Sequence, residues 1–470
     1  MWTLLGVNWV IEGRWREKWQ LARASRLLQA LWVLLIAFAV SSLRSSTLAL
    51  GIDELRVLLP LMVVGTVTLT TPAVTGRDRA IVLWLFSATV TVVSVVSAIR
   101  LFTIPDLPYR DAVPFISHIR FCLCCCMVLW VACIEPLPWR VRGVDVVLRV
   151  VLALWMVVFI FLMRSYTAVA VLGVSTAVVM ATVPGYRKLL WVWCAVALAA
   201  VAVVGYECYT YYTPSSLERL PLRTATVNGN PYRHKPNSAI ECGNSVEHYV
   251  CHKELAEQWP RRSSLSISSY EANGFHVEST LIRYLNALGL TKDSAGVAQL
   301  TDEQVREVER GIENPVVYHG NLLKKMVDPL LYEWEKYRRY GVFDGSSVLQ
   351  RVALWRTTLN IIAQHPWFGV PMGDLLAYLE AEHVRTHSPL AGRNMLPHNQ
   401  YLTLVAIFGF PLFCFVVIVF LRAIPALRRQ NPFMIAWTVA VLLSFLTENT
   451  LATNAGLLFC TFFLAFRQPD

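Results

Sequence analysis

The sequence predicts an all-α polytopic membrane protein, with about ten transmembrane helices and one large, mostly helical segment outside the bilayer. Three observations carry this. Hydrophobic residues make up 55% of the chain and charged residues 16%, whereas a soluble domain carries about 25% charged. Apolar runs of about 17–22 residues recur along the chain, each long enough to cross a hydrocarbon core roughly 30 Å thick. The runs lack the alternation of barrel strands, and only helices or closed barrels can cross a bilayer.

The predicted spans run approximately over 27–43, 54–71, 79–100, 117–134, 145–163, 165–183, 189–206, 398–421, 432–447 and 449–466. Between the seventh and eighth lies the only stretch of soluble-domain composition. The chain therefore divides into N-terminal membrane helices, 1–206, an outer domain, 207–397, and C-terminal membrane helices, 398–470.

Basic residues set the expected orientation. Arg14, Arg16, Lys18, Arg23 and Arg26 precede the first span, and Arg77 and Arg79 follow the second. Arg140 and Arg142 follow the fourth, Arg187 and Lys188 the sixth, and Arg422, Arg428 and Arg429 the eighth. With ten spans all these clusters fall on one side, which the positive-inside rule makes the cytoplasm. The segment 207–397 then faces the opposite side, which is the periplasm if the membrane is the inner membrane of a Gram-negative bacterium. The net charge of +10 then reads as a topology signal, with membrane lipids and no nucleic acid as partners. No cleavable secretory signal is read after Met1-Trp2-Thr3.

In the outer segment, apolar spacing predicts helices over Ser245–Trp259, Glu278–Leu288 and Ser346–Gln364, the last stopping before His365-Pro366. Thr301-Asp302-Glu303-Gln304 is a capping box opening a helix through about Ile312. Asn228-Gly229-Asn230-Pro231 and Asn273-Gly274 read as turns. Cys242 and Cys251 can bridge in an oxidising compartment or stay free. Cys122, Cys124, Cys125, Cys126 and Cys133 lie in or beside one apolar span and read as small packing residues.

No phosphate-binding GxxxxGK[ST] loop, no GxGxxG after a strand and no HExxH is present, so no cofactor or metal is called for. His234, His248 and His252 would have to be gathered by folding, and solvated side chains are the simpler reading.

Two constellations carry possible chemistry. Pro397-His398-Asn399-Gln400-Tyr401-Leu402 sits where the outer segment re-enters the membrane. His398 there can take a proton from an acceptor hydroxyl, since histidine titrates near neutral pH. It can equally cap the eighth span. Arg351 and Trp355 share a helix face, four residues apart. The guanidinium can clamp a phosphate and the indole can stack on a sugar, or the pair can be a surface ion pair and a packed ring. Arg44, Arg110, Arg120 and Arg164 lie on the outer side. They can snorkel to headgroups, but Arg120 and Arg164, at the outer ends of apolar spans, can also hold a lipid pyrophosphate.

These constellations, in this order around a large outer loop, resemble the O-antigen ligase and polymerase superfamily. The match is to an arginine, a tryptophan, His365-Pro366-Trp367-Phe368-Gly369, and a His-Asn motif opening the next span. Thr280–Leu285, Gly289–Asp293, Ile312-Glu313-Asn314, Phe115–Arg120 with His118, and Leu446-Thr447-Glu448 look like a Bacteroidetes-type O-antigen ligase subgroup. The resemblance implies a fold related to C-type glycosyltransferases. It also implies an undecaprenyl-pyrophosphate-linked glycan donor, a lipid A-core or glycan acceptor, and a metal-independent inverting transfer. It implies His398 as general base, with Arg351, Arg164, Arg120 and His118 around the pyrophosphate and Asn399, Trp355 and Glu448 in support. Polymerases and protein O-oligosaccharyltransferases share this logic. A transporter or flippase would instead favour internal pseudo-symmetry and a midplane site, neither of which is read here.

Overall fold

A computed structural model of the chain describes residues 2–105, 107–139, 143–219, 221–235, 237–342, 347–423 and 431–467. Arg140, Arg142, Arg428 and Arg429, four of the residues used for orientation, lie outside the described residues. The chain forms two compact units, Met1–Trp193 with Arg351–Asp470, and Cys194–Gln350. The hydrophilic segment 207–397 is thus divided, its last part belonging to the first unit.

Every predicted span contains a helix. In chain order the described helices begin with α1 (Trp2–Ile11), α2 (Trp15–Ala24), α3 (Arg26–Ser42), α4 (Leu48–Val57), α5 (Leu59–Thr70) and α6 (Gly76–Thr103). There follow α7 (His118–Ile134), α8 (Val144–Leu162), α9 (Tyr166–Thr182) and α10 (Leu189–Tyr212). Among the described residues, α6, α8, α10 and α19 (Gln400–Leu421) are each long and apolar enough to cross a membrane, and α2 with α3, bent by 87°, would make a fifth. The other predicted spans hold shorter apolar helices. The run 54–71 is split because α5 begins at Leu59 with Pro60 in its first turn, where proline is tolerated. The run 449–466 is split by Thr453, which caps a new helix at Asn454.

Outward-facing apolar residues mark the lipid faces. On α8 these include Val146, Val147, Leu154 and Val158, and on α10 Trp191, Leu198 and Val201. Apolar surface on this scale is what a bilayer covers. Inside the first unit, Cys122, Cys125 and Cys126 are fully buried in its core with Leu83, Met127 and Phe159, as packing residues.

The break in α19 is held by a second segment. At Gly409 (φ 71°, ψ 167°) the chain leaves helical geometry. An unbroken helix would pair the Phe410 N–H with the Ala406 carbonyl. Here Val370 N–H donates to Ala406 at 2.7 Å, and Phe410 N–H donates to the Pro366 carbonyl at 2.8 Å. Pro411 cannot serve the Ile407 carbonyl, which accepts from Ser41 Oγ at 3.0 Å. A Cβ on Gly369 would collide with the Ala406 carbonyl, and one on Gly409 with the Trp367 carbonyl. The loop after α17 (Ser347–Gln364) is therefore spliced into α19 backbone to backbone.

In the second unit Asn244–Ser245 is a short strand paired with Ile240–Glu241, and the first outer helix is only His252–Gln258. The expected helix from Ser245 is corrected here. Tyr249 has φ 56°, and Val250 exchanges backbone hydrogen bonds with Arg233, so 245–251 is committed to bridges. Val277–Ala287 forms as expected. Asp302–Glu309 opens with both bonds of the capping box. Leu322–Tyr340, with Pro329 inside it, is a helix that the sequence pattern did not single out. Cys242 and Cys251 are both free. Cys242 accepts from Asn314 Nδ2 at 3.4 Å, while Cys251 precedes the short helix. His234 and His248 meet edge-on at 5.6 Å, whereas His252 pairs with Glu278 at 2.7 Å. Among the described residues no three His, Cys, Asp or Glu side chains are grouped as a metal-ligand set.

Candidate functional site

The site grows from the first turn of α19. Asn399 is its N-cap, the side chain accepting from Leu402 N–H at 3.1 Å. The cap is thus Asn399 and not His398. His398, one residue earlier, takes a left-handed φ of 50°, a conformation uncommon outside glycine.

The partner of His398 comes from a later segment of the chain. The helix Pro432–Thr447 ends at Thr447, and Glu448 turns into extended backbone (φ −144°, ψ 153°). The following residues pin this turn onto α19. Asn449 Nδ2 donates to Thr403 Oγ1 at 2.7 Å, and Leu451 N–H donates to Gln400 Oε1 at 2.9 Å. The Glu448 carboxylate is thereby buried, 4% exposed, with His398 Nδ1 at 3.7 Å.

Two arginines converge on the same carboxylate. Arg351, in the second turn of α17, donates from Nη2 to Glu448 Oε1 at 2.9 Å. Arg120, in the first turn of α7, has Nη2 at 3.6 Å from Glu448 Oε2. Burial alone pushes the Glu448 carboxyl up; the facing His398 ring and the guanidiniums of Arg351 and Arg120 outweigh it and hold it below the usual carboxylate range.

The cluster has donors to spare. Arg120 Nε, Arg351 Nε, Trp355 Nε1 and His398 Nδ1 are buried, and among the described residues none meets a hydrogen-bond acceptor. Buried donors are normally satisfied. Two guanidiniums against one carboxylate also leave net positive charge. The first turns of α7 and α19 add the positive ends of their dipoles. Such an arrangement suits an anion with several acceptor oxygens.

The remaining predicted residues stand at different removes. Trp355 lies one turn beyond Arg351 on α17. His118, at the start of α7, is within electrostatic range of Glu448 and Arg351. Its ring meets Tyr109 edge-on at 5.7 Å. Arg164 lies over the same Tyr109 ring at 5.2 Å and makes no described contact with Glu448. Arg110 also engages Tyr109, through its hydroxyl at 3.2 Å. Tyr109, which these three side chains share, was not singled out in the sequence, where its signal is an aromatic beside Arg110. Arg44 serves structure, donating to the Phe368 and Gly369 carbonyls at 2.5 and 3.1 Å.

An apolar cavity of about 340 Å³ lies in the same unit, lined by Leu31 and Leu34 of α3, Tyr401 and Leu404 of α19, and Trp437 and Leu464. Tyr401, in the first turn of α19, stands three residues after His398, so the cavity and the cationic cluster both border the start of that helix.

No curated protein matches the chain. Residues 312–417 match the family described as O-antigen ligase. That stretch carries Arg351, Trp355, His398 and Asn399, and through it this membrane protein is similar to the O-antigen ligase family.

Proposed function

We propose that the protein transfers a glycan from an undecaprenyl-pyrophosphate carrier to an acceptor hydroxyl at the periplasmic face, with lipid A-core as acceptor. The observation that carries this reading is the convergence of Arg351, Arg120 and His398 on one buried carboxylate, with unsatisfied donors around it. A pyrophosphate supplies the acceptor oxygens such donors need, and arginine forks suit it. The apolar cavity beside Tyr401 offers room for part of an isoprenoid chain.

In the proposed transfer, His398 removes the acceptor's proton as its oxygen attacks the anomeric carbon with inversion. The lipid pyrophosphate leaves against Arg351 and Arg120, which supply the cationic charge without a metal ion. Arg164, His118 and Tyr109 border the donor from the α7 and α9 side. Ten spans with 207–397 in the periplasm would deliver the acceptor to this face.

The test is incubation of purified protein with lipid-linked glycan and, separately, lipid A-core, a second lipid-linked glycan or a protein acceptor, followed by mass spectrometry. Product with lipid A-core is expected, and its absence with product on another acceptor would reassign the enzyme to polymerase or protein glycosylation. Arg351→Lys should lose about tenfold or more in rate, because an ammonium lacks the bidentate fork. Arg261→Ala should leave the rate unchanged. An exposed Ser264→Cys should react with an impermeant reagent once the outer membrane alone is opened; protection until the inner membrane is opened would reverse the topology.

A further inference from the structure

The transfer above gives the Glu448 carboxylate no task, yet it is the centre of the cluster. Its two oxygens face three groups, Arg351 Nη2 at 2.9 Å, Arg120 Nη2 at 3.6 Å and His398 Nδ1 at 3.7 Å. Only the first distance is a hydrogen bond. The Nε of each arginine and the His398 Nδ1 have no acceptor among the described residues. One carboxylate therefore serves too many donors, and it does so from a buried position where a charge must stay paired.

We propose that Glu448 holds the place of the donor's pyrophosphate on the two arginines and is exchanged for it when the donor binds. This rests on the reading of the cluster as the pyrophosphate site. A pyrophosphate offers more oxygens and more charge than a carboxylate, so Arg351 and Arg120 turn to it. The like charge of the arriving anion drives the carboxylate away, and His398 Nδ1 is its nearest remaining partner. A carboxylate on Nδ1–H fixes the tautomer that leaves Nε2 as the proton acceptor. Donor binding thus prepares the base.

The charges then balance through the step. The acceptor hydroxyl gives its proton to His398 Nε2, and its oxygen lone pair forms the bond to the anomeric carbon. The electron pair of the broken C–O bond leaves on the phosphate oxygen, facing Arg351 and Arg120. The imidazolium so formed is held by Glu448. Glu448 is a positioning residue: it acts through His398 and the arginines and touches no substrate. Asn449 and Leu451, bound to the first turn of α19, keep it within reach of both.

The test compares wild-type protein with Glu448→Gln and Glu448→Asp in detergent, using farnesyl pyrophosphate as binding probe and the transfer assay for turnover. Thermal unfolding verifies that each variant is folded. Glutamine removes the competing charge but keeps the shape. Its Kd for the probe should fall by about tenfold, while kcat falls and KM for the donor does not rise. The aspartate variant should recover part of kcat. Equal or weaker probe binding by Glu448→Gln, or normal kcat, overturns the exchange and leaves the pyrophosphate site standing. Failure of wild-type protein to bind the probe, with Arg351→Ala indistinguishable from it, would instead remove the site itself and the exchange with it.

Discussion

The two units each bury an arginine–glutamate pair, and the pairs are built for different ends. In the second unit the Arg283 side chain is 16% exposed and Glu241 2%; in the first, Arg351 is 15% and Glu448 6%. Burial is therefore matched. Satisfaction is not. Arg283 reaches Glu241 by a fork, Nε at 3.1 Å and Nη2 at 2.8 Å, while its Nη1 engages Glu313. Its guanidinium lies 4.0 Å from the Tyr332 ring centroid, and Asn314 donates to Glu241 at 2.9 Å. Acceptors there match donors. Around Glu448 the balance is reversed, with two guanidiniums and an imidazole on one carboxylate. The first arrangement closes a network and stabilises a fold. The second leaves donors unmet.

The largest effect that would sharpen this contrast is expected in the closed network. Arg283→Met strands Glu241 and Glu313 and should cost about 3–5 kcal/mol of stability, read as a fall in unfolding midpoint, with transfer per folded molecule little changed. Loss of transfer without loss of stability would erase the distinction.

His398 comes next. His398→Ala and His398→Gln should reduce turnover by roughly a hundredfold or more while folding and donor binding survive. Since Asn399 supplies the cap, neither change should lower the unfolding midpoint much. A folded glutamine variant with near-normal transfer would remove the base assignment.

A pH scan probes the second unit further. Burial alone would raise the Glu254 carboxyl, but hydrogen bonds from Ser294, Thr226 and Asn230 lower it from 4.5 to about 2. The folded value lies below the unfolded one, so its stabilisation is full above pH 4.5 and lost as pH falls from there through about 2. Trp259, fully buried in the same unit, contributes to the fluorescence change on unfolding. Glu254→Gln should cost about 1.5–3 kcal/mol at pH 7 and flatten that acid limb; an unchanged limb would assign it to other carboxylates.

The smallest effect is expected at the cap. Asn399→Ala should lower stability by about 1 kcal/mol, seen in the unfolding midpoint, with kcat reduced far less than in the His398 variants.

The sequence by itself located a helix in each apolar run, because apolar runs and caps are local, but it did not single out Leu322–Tyr340. The ten runs, the capping box at Thr301 and the stop before His365-Pro366 all need only neighbours within a few turns. It also presented Arg351, His398 and Glu448 as candidates, through motif and resemblance. What it left open was which reading of each was correct. Whether His398 or Asn399 caps α19 depends on backbone angles that a His-Asn pair does not specify. Helix 245–259 failed because Val250 pairs with Arg233, a strand contact with no helical signature. The meeting of Arg120, Arg351 and His398 on Glu448 was decided only by packing. It requires α7, α17, α19 and the turn after Thr447 to bring their ends together. Gly409 and Gly369 allow one part of that assembly, since only residues without a Cβ let a loop pass through a broken helix at hydrogen-bonding distance.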